Sequence, residues 1–430
     1  MKFTTRLLDA GLEWAKQWQR RLLASDYDDL QKKALWMEAG SGSYFQEHVF
    51  PVLGPNDSIR TLLIFKPDEI GDAAVALPAL FELRKAFPHT RLCLLCQGKS
   101  AAVYQRSGLF DEIVTFKSKL RLRRFPTFAW RDAIDKFSTR DFDVSLYLRT
   151  YPAYFNYFKK LPGRIKVHPR DPRLQSDSVV QPLVPLWGDD RQHQTLQLLS
   201  IVGALTGRRY TIDDVAFPTS TWHQADLEGV EKHFPQGLPA RYFVLHPFAN
   251  YETKRYPETY WTKLVERLRA RFGIPIVVIG GPGDAALPLG EGVVQLQGRL
   301  TLAETGFVLS KATAFVGNES GPGHWAAALG IPVVSLMGGH SVPSEWAPFG
   351  GSLVLRTEVA CAPCHLRSCT RYGLKCLTEL TPARVWPPME AFLARIVDAG
   401  QARRPEPLRA VVSSSQSGFP SSVSIGGSGS

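Results

Sequence analysis

The twenty residues Val316-Gly-Asn-Glu-Ser-Gly-Pro-Gly-His324-Trp-Ala-Ala-Ala-Leu-Gly330-Ile-Pro-Val-Val-Ser335 constrain this chain more than any other stretch, because they read as strand, turn, short helix and strand with almost no slack. Ser320 suits a helix N-cap, Pro322 a first helical turn, and Gly330 a helix stop. Gly321 and Gly323 remove side chains where a ligand would approach the backbone. The free N-H groups at such a helix start favour an anion by about 0.3 to 1 kcal/mol when exposed and up to about 2 when partly buried. His324 lies four residues after Ser320, about one helical turn along, so its ring can face the same ligand. An ordinary helix cap in an α/β protein would use the same residues, so this segment alone leaves two readings open.

Residues 61 to 88 supply a second unit of the same kind. Leu62 to Phe65 form an apolar strand, Lys66 to Asp72 a polar turn, and Val75, Leu77, Leu80, Leu83 and Phe87 the apolar positions of a helix. Another strand follows at Arg91 to Cys96. In open α/β sheets ligands sit outside the carboxyl ends of the strands, where the turn bearing Asp68, Glu69, Gly71 and Asp72 must lie. Asp72 either serves such a site or complements the dipole of its own helix.

These blocks, in this order, resemble glycosyltransferase family 9, the ADP-heptose-dependent heptosyltransferases of lipopolysaccharide synthesis. The resemblance rests on Gly71-Asp72 with Leu77-Pro-Ala-Leu80, on Asp141-Phe-Asp-Val144 with Leu148-Arg149, and on Leu161-Pro-Gly-Arg164. It continues in His246-Pro247 with Lys254-Arg-Tyr-Pro257, in the run Gly317 to Leu329, and in Trp346-Ala-Pro348. It implies a GT-B fold: two Rossmann-like, doubly wound parallel-sheet domains facing a cleft. It also implies an inverting transfer of heptose from ADP-heptose to a lipopolysaccharide core acceptor, an anionic glycolipid, with no catalytic metal. Asp72 takes the position of the family's proposed general base. Lys254 takes that of a cation on the donor diphosphate; a surface lysine in the polar loop 250 to 255 is the competing reading. Glu319, Ser320, Gly321, Gly323 and His324 take the donor-binding positions. Glu319 stands where the family usually has the shorter Asp, and the turn Pro67-Asp68-Glu69 is more acidic than the small-residue turn usual there. Some members modify autotransporter proteins, so a protein hydroxyl is an alternative acceptor.

Composition fits that reading. At 430 residues with 44% apolar content, the chain can build two cores. Alternating strands and helices place strands at 61 to 66, 91 to 96, 112 to 116, 143 to 148 and 164 to 168, then at 241 to 246, 275 to 280, 313 to 317 and 332 to 336. Helices are expected at 257 to 272, 301 to 310 and 320 to 329. A linker is expected within 217 to 240, with 226 to 233 a candidate helix. The expected divisions are an N-terminal helical extension (1–57), an acceptor-side domain (58–220), a donor-binding domain (221–400) and a disordered tail (401–430).

A net charge of +11 points to an anionic partner. Its densest part is Lys117 to Arg124, with Arg131 and Lys136 beyond, and this run either contacts acceptor phosphates or is a solvated loop. A nucleic-acid-binding protein would use the same charge with Phe125, Phe128 and Trp130 as stacking positions, but would leave the Gly-Asp and Ser320 blocks without a purpose, so no nucleic acid is expected. No run approaches the roughly 18 apolar residues of a membrane helix, and the N-terminus lacks a secretory signal pattern. The expectation is a cytoplasmic protein. Residues 6 to 23 read as an amphipathic helix, suited either to peripheral contact with the inner-membrane surface or to packing on protein.

Cys361, Cys364, Cys369 and Cys376 are spaced C-x2-C-x4-C-x6-C. That spacing admits a structural zinc or iron, with His365 able to replace one ligand, but free thiols and disulfides remain open alternatives. Cys93 and Cys96 sit in an apolar strand and read as core residues. Gly280-Gly-Pro-Gly-Asp284, after a strand, either lines a nucleotide pocket or is a plain turn.

Overall fold

The structure, a computed structural model, describes residues 58–116, 134–149, 154–168, 193–370, 372–399 and 411–412. Two parallel sheets account for every strand among them. The first contains β1 (Thr61–Lys66), β2 (Arg91–Gln97), β3 (Glu112–Phe116), β4 (Val144–Tyr147) and β5 (Ile165–Val167), in the spatial order β3-β2-β1-β4-β5. The second contains β6 (Phe243–His246), β7 (Ile276–Val278), β8 (Val293–Gln295), β9 (Ala314–Asn318), β10 (Val333–Leu336), β11 (Ser352–Leu355) and β12 (Val411–Val412), in the order β12-β11-β10-β9-β6-β7-β8. Runs such as Leu62-Leu-Ile-Phe65 are buried throughout, as strands covered on both faces must be. In both sheets the strand order reverses beside the first strand, β1 or β6, which opens a crevice at the carboxyl ends.

Seven helices of two turns or more cover these sheets among the described residues: α1 (Ile70–Ala86), α2 (Gln194–Thr206), α3 (Gln224–Glu231), α4 (Glu258–Phe272), α5 (Leu302–Ser310), α6 (Gly321–Ala328) and α7 (Pro382–Asp398). In α1 burial extends past the expected stripe, since Ala73, Ala74, Ala76 and Ala79 are as inaccessible as Leu80 and Leu83. The reason is position. One buried cluster runs from Leu62 and Ile64 of β1 through α1 to Trp325 of α6 and Val244 of β6, so α1 is packed by the second sheet's helix as well as by its own sheet.

The expected linker is not a free connection. Within 217 to 240, α3 is fixed on one side by a buried ion pair, Arg106 Nη2 to Asp226 Oδ1 at 2.7 Å. On the other, Gly229 lies so close to Glu304 of α5 that a Cβ would meet its carboxylate. At the N-terminus of α2, His193 Nε2 lies 2.8 Å from the Ala347 carbonyl and Gln194 Nε2 donates to Glu345 Oε1 at 2.9 Å. Segments between the two sheets therefore hold both.

Alternation by two and by 3.6 gives β1 to β7, β9, β10 and α3 to α6 near their expected bounds. The expectations omit β8, β11, β12, α2 and α7. Residues 413 to 430 and the expected extension 1 to 57 lie outside the described residues, but Val411–Val412 within the expected tail forms a strand parallel to Leu353 and Val354. Also outside are the basic run 117 to 124, Arg131, and Phe125, Phe128 and Trp130; Lys136 is described and exposed. Among the described residues no helix is long and apolar enough to cross a membrane.

Candidate active site

The carboxyl ends of β1, β4, β6, β9 and β10 bring the candidate residues together. Gly71, in the first turn of α1, and Gly321, at the start of α6, lie against each other. A Cβ on Gly321 would stand 2.9 Å from the Gly71 nitrogen, and one on Gly71 would stand 3.2 Å from both Gly321 Cα and His324 Cδ2. Two helix N-termini thus converge, and Asp72 is one residue beyond the contact. Asp72 as a whole is partly buried. Burial raises its pKa above the ordinary value, and the nearby Asp68 carboxylate pushes in the same direction, while Lys66 and Arg149 oppose.

Asp68 is fully enclosed. Its Oδ2 accepts a hydrogen bond from Lys66 Nζ, and its Oδ1 lies 2.7 Å from Arg149 Nη1. Burial alone would raise its pKa, but the two cations outweigh it and hold the carboxyl below its ordinary value. Arg149 also lies over the Tyr154 ring, 5.0 Å from its centroid. Sequence reading placed Lys66 and Asp68 in the turn and Arg149 in a separate block, and missed their union. The available signal was that β1 and β4 are neighbours, with Phe65 opposite Tyr147, so that the residues following them must meet.

On the other wall, Lys254 ends a short 3-10 turn (Glu252–Lys254) after β6 and reaches Glu319. Its Nζ lies 2.6 Å from Glu319 Oε1, which also accepts from Ser341 Oγ at 2.8 Å. Lys254 is therefore an engaged cation in a cleft rather than a surface lysine; its side chain is 20% exposed against 2% for Glu319. Burial would raise the Glu319 pKa, but Lys254, Ser341 and His340 bring it below the ordinary value. Its Oε2 is buried without a hydrogen-bond partner among the described residues, as is His324 Nδ1.

Ser320 occupies the N-cap position of α6, but the expected side-chain cap is not made. Its Oγ lies 3.0 Å from His246 Nδ1 instead, because His246 ends β6 beside Gly317 of β9 and offers a fixed partner. The Gly323 and His324 amides turn back to the Ser320 carbonyl at 3.1 and 3.4 Å, Pro322 has no N-H, and the Gly321 amide is left without a backbone partner among the described residues. The anion cradle is thus narrower than a helix start with several free donors. Burial pushes both His246 and His324 down to about 4, so each ring is neutral near pH 7.

The four cysteines of 361 to 376 are free thiols, with Cys376 buried and the other three partly so. Among the described residues no three or more His, Cys, Asp or Glu side chains are gathered as a metal ion would require. The zinc or iron alternative therefore has no assembled ligand set among the described residues, and the cysteines are free. The loop packs instead on the turn that carries Lys254: Thr253 Oγ1 donates to the Leu366 carbonyl and the Cys369 amide donates to Glu252 at 3.2 Å. Cys93 and Cys96 are buried on opposite faces of β2, as alternation requires. In the glycine cluster after β7, the Gly281 amide bonds Asp284 at 2.7 Å, so that segment is a self-closed turn.

Two Rossmann-like domains sharing a crevice, with a carboxylate on one lip and a cation beside a helix start on the other, define a GT-B type protein. The family model described as Glycosyltransferase family 9 (heptosyltransferase) matches residues 212–374. It is 34% identical over 174 residues to Lipopolysaccharide heptosyltransferase 1 of Pseudomonas aeruginosa, a match covering 36% of this chain and 48% of that protein, so it spans about half the length of that relative. It is 22% identical over 297 residues to Lipopolysaccharide heptosyltransferase 3 of Escherichia coli, covering 66% of this chain and 85% of that one. An E. coli heptosyltransferase solved with ADP superposes with a TM-score of 0.56 at 20% identity, over 77% of this chain and 99% of that one.

Proposed function

We propose that the protein is an inverting glycosyltransferase that moves heptose from ADP-heptose to a lipopolysaccharide core acceptor. The observation that carries this is the meeting of Gly71-Asp72 with the α6 start at Gly321, since it sets a carboxylate beside the place where a diphosphate would sit. In this reading the acceptor hydroxyl oxygen attacks the anomeric carbon as the bond to ADP breaks. The hydroxyl proton passes to the Asp72 carboxylate, and the bonding electron pair leaves with the diphosphate. Attack opposite the departing group inverts the centre. A base of raised proton affinity suits the task, and such catalysis typically contributes about 10² to 10⁴ in rate.

Lys254 and the α6 start take up the charge that grows on the diphosphate, so the reading gives no step to a metal. Glu319 holds Lys254 in place through Oε1 and keeps Oε2 for a sugar hydroxyl; the unmatched His324 Nδ1 offers a second polar contact. Residues 58–220 are taken as the acceptor-side domain and 221–400 as the donor-side domain. The acceptor is an anionic glycolipid at the cytoplasmic face of the inner membrane, reached by peripheral contact through the N-terminal extension.

Turnover of ADP-heptose with a deacylated inner-core oligosaccharide tests the reading. Asp72→Asn should lower the rate at least about tenfold while ADP still binds. Normal turnover in that variant would remove Asp72 from the base role, and transfer to protein but not to the oligosaccharide would replace the acceptor.

A further inference from the structure

Asp68 belongs to no substrate contact in this reading, yet with Lys66 it is among the most enclosed charges on the acceptor side. It is 3% exposed and Lys66 2%. A carboxylate taken out of water is strongly disfavoured unless it is paired, and Asp68 is paired twice, with the last residue of β1 and with the arginine that follows β4. The three charges sum to +1 one helical turn from Asp72. The other groups facing this corner carry less weight. Glu69 is turned outward to Lys99, Tyr104 and Tyr147 are buried and held un-ionised by burial, Tyr154 lies under Arg149, and His324 approaches from α6 as a neutral ring.

We infer that Asp68 is a positioning residue for Asp72: by holding Lys66 and Arg149, it prevents either cation from pairing with the base and weakening it. The inference rests on the reading of Asp72 as the base. Without the Asp68 charge, two enclosed cations would have one remaining carboxylate within reach. Asp72 would be drawn to them, and a carboxylate so paired accepts a proton less readily.

The experiment is the pH dependence of kcat/KM on ADP-heptose and deacylated inner-core oligosaccharide, whose acid limb reports the base in the free enzyme. The full chain is compared with Asp68→Asn, Asp68→Glu, Arg149→Met and Asp72→Asn. Asp68→Asn should move the acid limb down by about one pH unit and lower the plateau about tenfold, with ADP affinity within about twofold of the parent. Arg149→Met, which removes a cation and keeps the Lys66–Asp68 pair, should move the limb upward. Asp68→Glu should restore it. A loss of activity in Asp68→Asn with the limb unmoved, or limbs that shift the same way in Asp68→Asn and Arg149→Met, overturns the inference. Should Asp68→Asn not fold, the direction of the Arg149→Met shift decides. Normal activity in Asp72→Asn defeats the base reading itself. Loss in Asp72→Asn with unmoved limbs in the other variants defeats only the role of Asp68.

Discussion

At the scale of single residues, the site is built from charges that are already satisfied within the protein. Lys254 bonds Glu319 at 2.6 Å, so an incoming diphosphate finds the ammonium oriented rather than loose. Lys254→Ala should therefore raise the ADP dissociation constant about tenfold or more, since it removes the cation and leaves the Glu319 carboxylate buried and repelling the ligand. Calorimetric titration with ADP checks this, and an unchanged constant would mean that the diphosphate lies elsewhere. Glu319→Gln separates the two jobs of Glu319: it should weaken ADP-heptose more than ADP if Oε2 receives a sugar hydroxyl. Sequence alone pointed to Asp72, Lys254, Glu319, Gly321, Gly323 and His324 through spacing and family resemblance, and the structure brings them to one crevice. It could not show that Ser320 would turn to His246, nor that Lys66, Asp68 and Arg149 would meet. The Ser320–His246 and Asp68–Arg149 contacts join residues 74 and 81 positions apart, and distance in sequence carries no sign of them.

At the scale of elements, the decisive contact is α1 on α6. Gly321 lets the two helix starts touch, because any side chain there would press on the backbone of Gly71, which cannot move aside as a side chain can. Gly321→Ala should lower stability by about 1 to 3 kcal/mol, as overpacked positions do, and reduce turnover by separating the two walls. A thermal melt and a rate on the same preparation check it; an unchanged melt would show that the helices can part without cost. The cysteine loop is a second element-scale case. Spacing offered a metal, thiols or disulfides, and the loop, whose cysteines are free, also braces the Lys254 turn through Thr253 and Glu252. Elemental analysis of purified protein decides among these: about one equivalent of zinc or iron supports a structural ion, and only a trace rejects it. The missed elements have a plain cause. Val293–Gln295 is too short for a period to register, and α7 carries Pro387 and Pro388 in its interior, which local rules read as a break.

At the scale of the whole molecule, the shared core makes stability depend on pH through groups near the crevice. His246 and His324 fall from an ordinary 6.5 to about 4 by burial. The unfolded chain therefore binds more protons between about pH 6.5 and 4, and the stability present above 6.5 is lost as pH falls through that window. Each ring accounts for on the order of 3 kcal/mol over the full range. Asp72, whose folded pKa is raised, works the other way just above its ordinary value, but it is one group against three, since burial brings His340 to about 4 as well. The urea midpoint should be clearly lower at pH 5 than at pH 7, and an equal or higher midpoint would show that these rings are not held neutral.

The sequence by itself determined the alternation of strands and helices, the parallel sheets and the chemical kinds present at the turns. Apolar period, helix caps and glycine turns act over a few neighbouring residues, so they are written locally. Only the tertiary structure decided which turns face one another, which charges are already paired, and that most of α1 would be buried between two sheets. Those outcomes depend on strands far apart in the chain becoming neighbours, and on the desolvation that follows when two domains close on one crevice.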